Sequence, residues 1–209
     1  KTLDFARKYG VRKVIFSSTS FVYGNTEKLP TKEVESIIPD NPYIISKFTV
    51  ENYVQFYGYT YGFDYVIFRY ATTYGPRQVK GAMADYIRSI YAGKKSFIYG
   101  DGTKTRDYIH VSDIVAANLK AIFYENKAGI TPIFNLGTGK ESTLNALYEK
   151  IAVLLGKPGS APEYQKERPG ELLRSMLDNT KAKEYLGWQP AVCLDEGLKN
   201  TVEYFLKSK

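Results

Sequence analysis

The hydrophobic residues of the chain follow two alternating patterns. Short and almost continuous apolar stretches are typical of strands buried on both faces, and longer segments with apolar residues three or four positions apart are typical of helices. The pattern predicts strands at 12–18, 64–71 and 132–139, and a short strand followed by a turn within 96–107. It predicts helices at 2–10, 43–62, 82–93, 111–125, 142–156, 179–188 and 193–207.

The order of these elements indicates the fold class. Strands that alternate with helices of about 10 to 20 residues are typical of an α/β fold with a parallel sheet. The segment 25–42 is rich in proline and charge and is predicted to be a loop. Ser142 is the expected N-cap of the helix that begins there.

Charge and rare residues narrow the choice of function. The net charge is +7, but the basic residues are spread along the chain and no nucleic-acid-binding motif is found. With a single histidine, His110, and a single cysteine, Cys193, we expect no metal site. The chain has no apolar run of membrane-spanning length and no signal-peptide core at its start. We therefore expect a cytoplasmic protein without membrane or nucleic-acid partners.

The stretch VIFSSTSFVYG at 14–24 delivers a cluster of hydroxyl groups at the end of a predicted strand. In open α/β sheets, ligands bind beyond the carboxyl ends of the strands. Further along, Tyr43 and Lys47 are four residues apart near a predicted helix start, so they share one helix face. A phenol is a poor base at neutral pH, and a nearby cation favours the phenolate. These groups could together take a proton from an alcohol, although a Tyr–Lys pair alone is more simply explained as a surface pair.

Five segments in order give the chain a specific resemblance. They are SSTSFVYG, PYIISK, RYATTYGPRQ, GDGTKTRDYIHVSD and RPGE, the last followed by LGWQP. Together they resemble the extended short-chain dehydrogenase/reductase family, and within it the NAD-dependent nucleotide-sugar epimerases and dehydratases. The resemblance covers residues 1–209. It implies a partial Rossmann-type, doubly wound parallel sheet and a smaller C-terminal α/β domain that binds the substrate.

The resemblance implies roles for the residues at the strand end. Tyr43 would be the general base, Thr19 its hydroxyl partner, and Lys47 would assist Tyr43 and bind the nicotinamide ribose of NAD. The residues expected to contact the cofactor are Ser17, Ser18, Tyr43, Lys47 and Tyr70.

The resemblance also implies a nucleotide-sugar pocket, with a UDP-sugar as the expected substrate. Arg106 and Arg168 would bind the diphosphate and ribose, since guanidinium groups offer paired donors to phosphate oxygens. Outside the family context, an ion pair between Arg106 and Asp107 would be the simpler interpretation. His110 is expected to be structural. The other predicted substrate contacts are Thr72, Arg77, Tyr99, Glu171 and Ser175, with Tyr99 packing rather than stacking on the base.

The residues after Thr19 favour one reaction. Dehydratases of the family resemble TDEVYG and decarboxylases TSEVYG, whereas this chain has TSFVYG, with Ser20 and Phe21 in the two positions. A phenylalanine cannot move a proton, so elimination would lack its acid and base. We therefore expect a 4-epimerase that oxidises C4 of the sugar transiently, with a dehydratase or decarboxylase as the alternative.

Two positions bear on the identity of the substrate. Ser175 occupies a position where a large tyrosine would make the chain resemble the family's enzymes that are restricted to glucose and galactose. Because serine is small, UDP-N-acetylhexosamines are expected to fit as well as UDP-hexoses. Thr72 stands where the family usually has an asparagine that touches the diphosphate. A threonine offers one hydroxyl donor and no amide.

The family's G-x-x-G-x-x-G loop is not found in these 209 residues. The resemblance implies that residues 1–75 are the C-terminal part of the NAD-binding domain. Residues 76–209 would mainly form the nucleotide-sugar-binding domain, with 107–137 returning to the first. The chain would then correspond to the C-terminal two-thirds of an enzyme, and by itself we expect it to bind NAD weakly and to turn over nothing.

Two other classes of function stay open. One is a non-catalytic chain that keeps a sugar-nucleotide pocket or only a dimer surface. The other is a basic RNA-binding protein, which has only the charge and the 19 tyrosines in its favour. From the resemblance we expect a homodimer, formed through the helix of Tyr43 and the helix before Val11.

Overall fold

A computed structural model describes residues 1–207 as eight strands and seven helices. The strands are β1 (Lys13–Thr19), β2 (Asp64–Tyr70), β3 (Thr72–Tyr74), β4 (Phe97–Tyr99), β5 (Thr105–His110), β6 (Ile133–Leu136), β7 (Glu141–Thr143) and β8 (Glu163–Gln165). The helices are α1 (Thr2–Lys8), α2 (Pro42–Tyr61), α3 (Ala82–Tyr91), α4 (Val111–Phe123), α5 (Leu144–Leu154), α6 (Thr180–Leu186) and α7 (Leu194–Lys207).

Three parallel strands form the central sheet, in the order β1-β2-β6. The register pairs Thr19 with Tyr70, and Tyr70 with Leu136, so the three strands end at one edge. Alternate residues of a strand face opposite sides. Ile67 accordingly packs with Val54 of α2, whereas its neighbour Phe68 belongs to the apolar cluster on the α4 and α6 side. Helices thus cover both faces, and the α/β class predicted from the sequence is confirmed.

Two smaller sheets and a second apolar cluster make up most of the rest. Strand β5 pairs with β3 in parallel and with β7 antiparallel, and β4 pairs with β8 in parallel. The second cluster joins α3, α5 and α7, with Ile87, Ile151 and Leu198 almost fully buried in it. Strand β6 lies in the central sheet next to β2. The division into domains at residue 75 stays a prediction.

The periodicity of the sequence located the long elements better than the short ones. All seven predicted helices are present, with ends shifted by a few residues. The three-residue strands β3, β7 and β8 were not predicted, and the segment predicted as a turn continues into β5. The expected cap Ser142 is wrong, because Thr143 caps α5 by accepting from the Ala146 amide at 3.0 Å.

No helix in the described part of the chain combines the length and the hydropathy needed to cross a membrane.

Candidate functional site at the carboxyl edge of the sheet

The hydroxyl side chains at the end of β1 point to two different environments. Ser17 is exposed, and its Oγ lies 3.1 Å from the hydroxyl of Tyr70. Ser18 is buried and donates to Oε1 of Glu51 on α2 at 2.5 Å. Successive residues of a strand face opposite sides, which explains the split. The hydroxyl of Ser18 therefore makes a packing contact and lacks the exposure that the predicted cofactor contact would need.

Helix α2 brings Tyr43 and Lys47 to the same edge. Asn41 begins the helix by accepting from the Ile44 amide at 3.0 Å, which puts Tyr43 in the first turn. Tyr43 is half-exposed. The Lys47 ammonium lies 6.0 Å from the centre of the Tyr43 ring and donates to the Ser17 carbonyl at 2.8 Å. A phenol with a fixed cation beside it is thus held next to the last residues of β1.

Thr19 ends β1 and begins a short 3₁₀ turn over Ser20–Tyr23. Its Oγ1 accepts from the Phe21 amide at 3.3 Å, and this contact leaves the hydroxyl proton of Thr19 available to another acceptor. Phe21, the third residue of TSFVYG, extends into the wall of a neighbouring cavity.

That cavity has a volume of about 540 Å³, within the usual range for small-molecule sites. Five of the seven predicted substrate residues line it, and Arg77 and Ser175 do not. The five are Thr72, Tyr99, Arg106, Arg168 and Glu171. Arg77 is exposed on the turn after β3, and Ser175 is buried outside the cavity lining. Neither residue lines this cavity, and their contacts with the substrate stay predictions.

Arg106 faces the cavity without a salt bridge in residues 1–207. Its guanidinium donates to the Thr105 carbonyl at 2.7 Å, and burial lowers its pKa. The neighbouring Asp107 is fully buried and accepts from the Thr138 hydroxyl at 2.6 Å. Amides of the chain contact the same carboxylate. The alternative of an Arg106–Asp107 ion pair is thus not what the structure contains, and the arginine is left for another anion.

Two unpartnered side-chain atoms lie on the cavity wall. Thr72 Oγ1 and Gln78 Oε1 are buried without a hydrogen-bond partner in the described residues. Buried polar atoms are almost always hydrogen-bonded, so such exceptions commonly mark a place where a ligand or water binds.

Comparison with known proteins identifies the family of the chain. The sequence model of the NAD dependent epimerase/dehydratase family matches residues 1–137. The chain belongs to this family.

Individual relatives of this epimerase/dehydratase chain agree. It is 42% identical to a UDP-glucose 4-epimerase of Mycolicibacterium smegmatis over 97% of its own length and 65% of that protein. The crystal structure of a UDP-glucose 4-epimerase with UDP-glucose from Thermotoga maritima superposes with a TM-score of 0.93 at 43% identity, covering 99% of this chain and 67% of that one. A UDP-glucose 4-epimerase of Thermus thermophilus in complex with NAD gives 0.89 at 34% identity, with 99% and 68% covered. The chain thus spans about two thirds of the length of these relatives.

Beneath the site, this family member contains a buried polar network that sequence reasoning missed. Glu51 and Arg69 are fully or almost fully buried and paired at 2.7 Å. Arg69 also donates to the Tyr23 hydroxyl at 2.9 Å, and Tyr23 donates to Asn135 Oδ1 at 2.7 Å. Burial raises the pKa of Tyr23 to about 12. A signal was present for Glu51 alone, since it follows Tyr43 and Lys47 by one further helical turn on the same face of α2.

His110 has one of its two ring nitrogens satisfied. Nδ1 lies 2.7 Å from the Ser112 hydroxyl and accepts from the Ser112 amide, and thereby caps α4. Nε2 is buried without a partner in the described residues, and burial lowers the pKa of the imidazole. The position at a helix start agrees with the structural role expected for His110. Among residues 1–207, no group of three metal-ligating side chains is present.

Proposed function

We propose that the chain carries the catalytic and substrate-binding residues of an NAD-dependent nucleotide-sugar 4-epimerase. The observation that carries the choice of reaction is the side chain of Phe21 in the cavity wall. Neither Ser20 nor Phe21 offers a carboxyl group beside Thr19, so these positions supply no acid–base pair for eliminating water or for decarboxylation. Without that pair, oxidation at one carbon followed by reduction from the other face is the chemistry that the remaining residues serve.

The exposed groups at the end of β1 fit a bound dinucleotide. Ser17 and Tyr43 are exposed, Lys47 and Tyr70 are partly so, and together they offer hydroxyl groups and one ammonium that can bind ribose hydroxyls. These four residues would hold NAD. The chemistry that NAD would supply there is reversible hydride transfer at C4 of the sugar.

The protein residues handle the proton. Tyr43 accepts the proton of the sugar 4-hydroxyl and later returns it. The Ser17 carbonyl holds the ammonium of Lys47 beside the ring of Tyr43, where it offers a positive charge and hydrogen-bond donors next to the phenol. Thr19, whose hydroxyl proton is available, orients the same sugar hydroxyl.

The substrate that suits the cavity is a nucleoside diphosphate sugar. Arg106 and Arg168 on its wall provide two guanidinium groups for the diphosphate. A UDP-hexose or a UDP-N-acetylhexosamine is the proposed substrate. Ser175 keeps its proposed part in choosing between them only if it acts through its neighbours, since it lies outside the cavity lining.

We also propose that the protein acts as a cytoplasmic homodimer. The outer surface of α1 and α2 exposes an unusual number of aromatic side chains, which a second copy would cover. They are Phe5, Tyr9, Tyr53, Phe56 and Tyr59, exposed by 58%, 71%, 56%, 54% and 94%.

The test is to incubate the full-length protein with NAD and UDP-galactose and to follow the sugar signals by NMR. We expect UDP-glucose to appear without net reduction of NAD, and the N-acetylated pair to interconvert likewise. Tyr43→Phe should stop both conversions. A 4-keto-6-deoxy sugar, release of carbon dioxide from UDP-glucuronate, or no product would contradict the proposal.

A further inference from the structure

The loop that follows β8 brings Arg168 into the wall of the cavity. Backbone hydrogen bonds hold its two ends, from the Gly100 amide to the Gln165 carbonyl at 2.9 Å and from the Thr105 amide to the Leu173 carbonyl at 3.0 Å. Between these points, the Arg168 guanidinium lies 3.5 Å from the centre of the Tyr99 ring. Both side chains line the cavity. The position of this guanidinium therefore depends on how the loop is held.

Lys104 is buried beside this loop and forms two ion pairs with it. It is only 6% exposed, although lysines are rarely buried unless they are paired. Its ammonium lies 2.7 Å from a carboxylate oxygen of Glu167 and 2.7 Å from one of Glu171. Glu167 directly precedes Arg168, and Glu171 follows it by three residues. One buried cation thus binds the loop on both sides of the arginine.

In this contact the lysine is buried, whereas the two glutamates are partly or largely exposed. The side chains of Glu167 and Glu171 are 56% and 28% exposed, against 5% for Lys104. Burial opposes the charge of Lys104, but the hydrogen bonds that the lysine donates to the two glutamates outweigh this effect and raise its pKa. The lysine therefore stays charged at neutral pH. If Lys104 were removed, both carboxylates would still reach water, so the loop would loosen without leaving a buried unpaired charge.

Lys104 does not itself line the cavity. Its ammonium is occupied by the two carboxylates, of which Glu171 also lines the cavity, and the cation that these contacts hold at the cavity wall is Arg168. The residue is therefore placed to act on a ligand through Arg168.

We propose that Lys104 is a positioning residue that holds Arg168 over Tyr99, so that the arginine is preorganised for the diphosphate of a nucleotide sugar. The inference rests on the proposed function, because it takes Arg168 to be a diphosphate-binding residue. Preorganisation of this kind strengthens binding by removing the cost of ordering a long side chain and its loop.

The test is a calorimetric double-mutant cycle with UDP as the probe, on the full-length protein. Lys104→Met should weaken UDP binding about tenfold, while in an Arg168→Ala background the same change should cost less than about twofold. Glu167→Gln removes one of the two ion pairs of Lys104 at an exposed residue. It should weaken UDP binding by a smaller factor than Lys104→Met does. The matched control is Lys166→Met, which removes an exposed charge from the same loop and should leave the affinity within about twofold. In the epimerase assay, Lys104→Met should raise KM and leave kcat unchanged.

The outcomes separate the inference from the function beneath it. If wild-type protein does not bind UDP, the proposed function fails. If wild-type protein binds UDP but Lys104→Met binds equally well, or loses the same factor with and without Arg168, the positioning role is wrong. If Lys104→Met does not fold, as judged by circular dichroism, Glu167→Gln decides, and unchanged binding in that variant overturns the inference.

Discussion

The polar groups beneath the sheet edge and those on the cavity wall differ in how completely they are paired. Beneath the edge, Glu51 and Arg69 bond to each other, and the network continues through Tyr23 to Asn135. On the cavity wall, Thr72 and Gln78 each leave a buried oxygen without a partner in the described residues. The first region joins α2 to the central strands β2 and β6, whereas Thr72 begins β3 and Gln78 lies in the turn after it.

This difference in pairing indicates which residues stabilise the fold and which residues bind the ligand. Glu51 of α2 bonds to Arg69 of β2 and to Ser18 of β1, so the network connects the helix to both strands. Removing one partner of a buried pair leaves an uncompensated charge and destabilises the protein. A buried hydroxyl without a partner costs stability, and one on a cavity wall can be satisfied by a ligand or a water molecule. Substitutions in the Glu51–Arg69 network should therefore reduce stability, and substitutions of the cavity-wall residues and of Tyr43 should reduce binding or turnover.

The largest effect is expected for the half-exposed phenol above the edge. Tyr43→Phe should lower kcat by about 10²–10⁴-fold, because it removes the general base, with no change in melting temperature. The measurement is the initial rate of UDP-galactose conversion beside a thermal melt. Tyr59→Phe, on the same helix and 94% exposed, is the matched control and should keep full activity. Equal loss in both variants would remove Tyr43 from its role.

The next largest effect is a loss of stability when the buried Glu51–Arg69 pair is broken. Glu51→Leu should cost about 3–5 kcal/mol in the free energy of unfolding, because it leaves Arg69 buried without its carboxylate. Urea unfolding measures this loss. Glu149→Gln, at an exposed position of α5, should change stability by less than about 0.5 kcal/mol. A Glu51 variant as stable as wild type would show that the network does not support the fold.

A smaller pair of effects should distinguish two neighbouring threonines. Thr72→Val removes an unpartnered hydroxyl, so stability should hold or rise while UDP-glucose binding weakens several-fold. Thr73→Val removes a hydroxyl that donates to the Ala71 carbonyl at 3.2 Å, so stability should fall by about 1 kcal/mol with binding unchanged. Calorimetry and urea unfolding on both variants test this, and the reverse assignment of the two losses would break the comparison.

The smallest effect is a pH dependence from His110. Burial lowers the pKa of this imidazole, so the unfolded chain binds its proton more readily than the folded one. Its stability contribution is therefore complete above the unfolded pKa of about 6.5 and declines as the pH falls below it, by at most about 1.4 kcal/mol per pH unit. Urea unfolding at pH 7.5 and 5.5 should show a smaller pH difference for His110→Asn than for wild type. An equal difference would mean that His110 does not titrate as its burial requires.

The sequence predicted what depends on local pattern and missed what depends on partners distant in the chain. Helical spacing located α2 and its Tyr43–Lys47 face, and the apolar runs located β1 and β2. Three-residue strands such as β7 carry too little periodicity to be recognised. Strand β7 pairs with β5, which is distant in the sequence.

The site shows the same limit. The family motifs pointed to Arg106 and Arg168, and both line one cavity. The motifs did not reveal that the Ser18 side chain points toward Glu51. Which side of the sheet a residue of β1 faces is set by how the strand pairs, and α2 covers that side. The binding of both Glu167 and Glu171 by Lys104 spans more than sixty residues and left no local signal.

The central claim is that the cavity between β3, β4 and the Arg168 loop receives the nucleotide sugar. A crystal structure of the full-length protein with UDP-glucose tests it most directly. We expect the diphosphate to lie between Arg106 and Arg168, with the Thr72 hydroxyl within hydrogen-bond distance of the ligand. A ligand bound elsewhere, for example in the cleft beside Cys193 and Lys150, or a diphosphate that contacts neither arginine, would contradict the account.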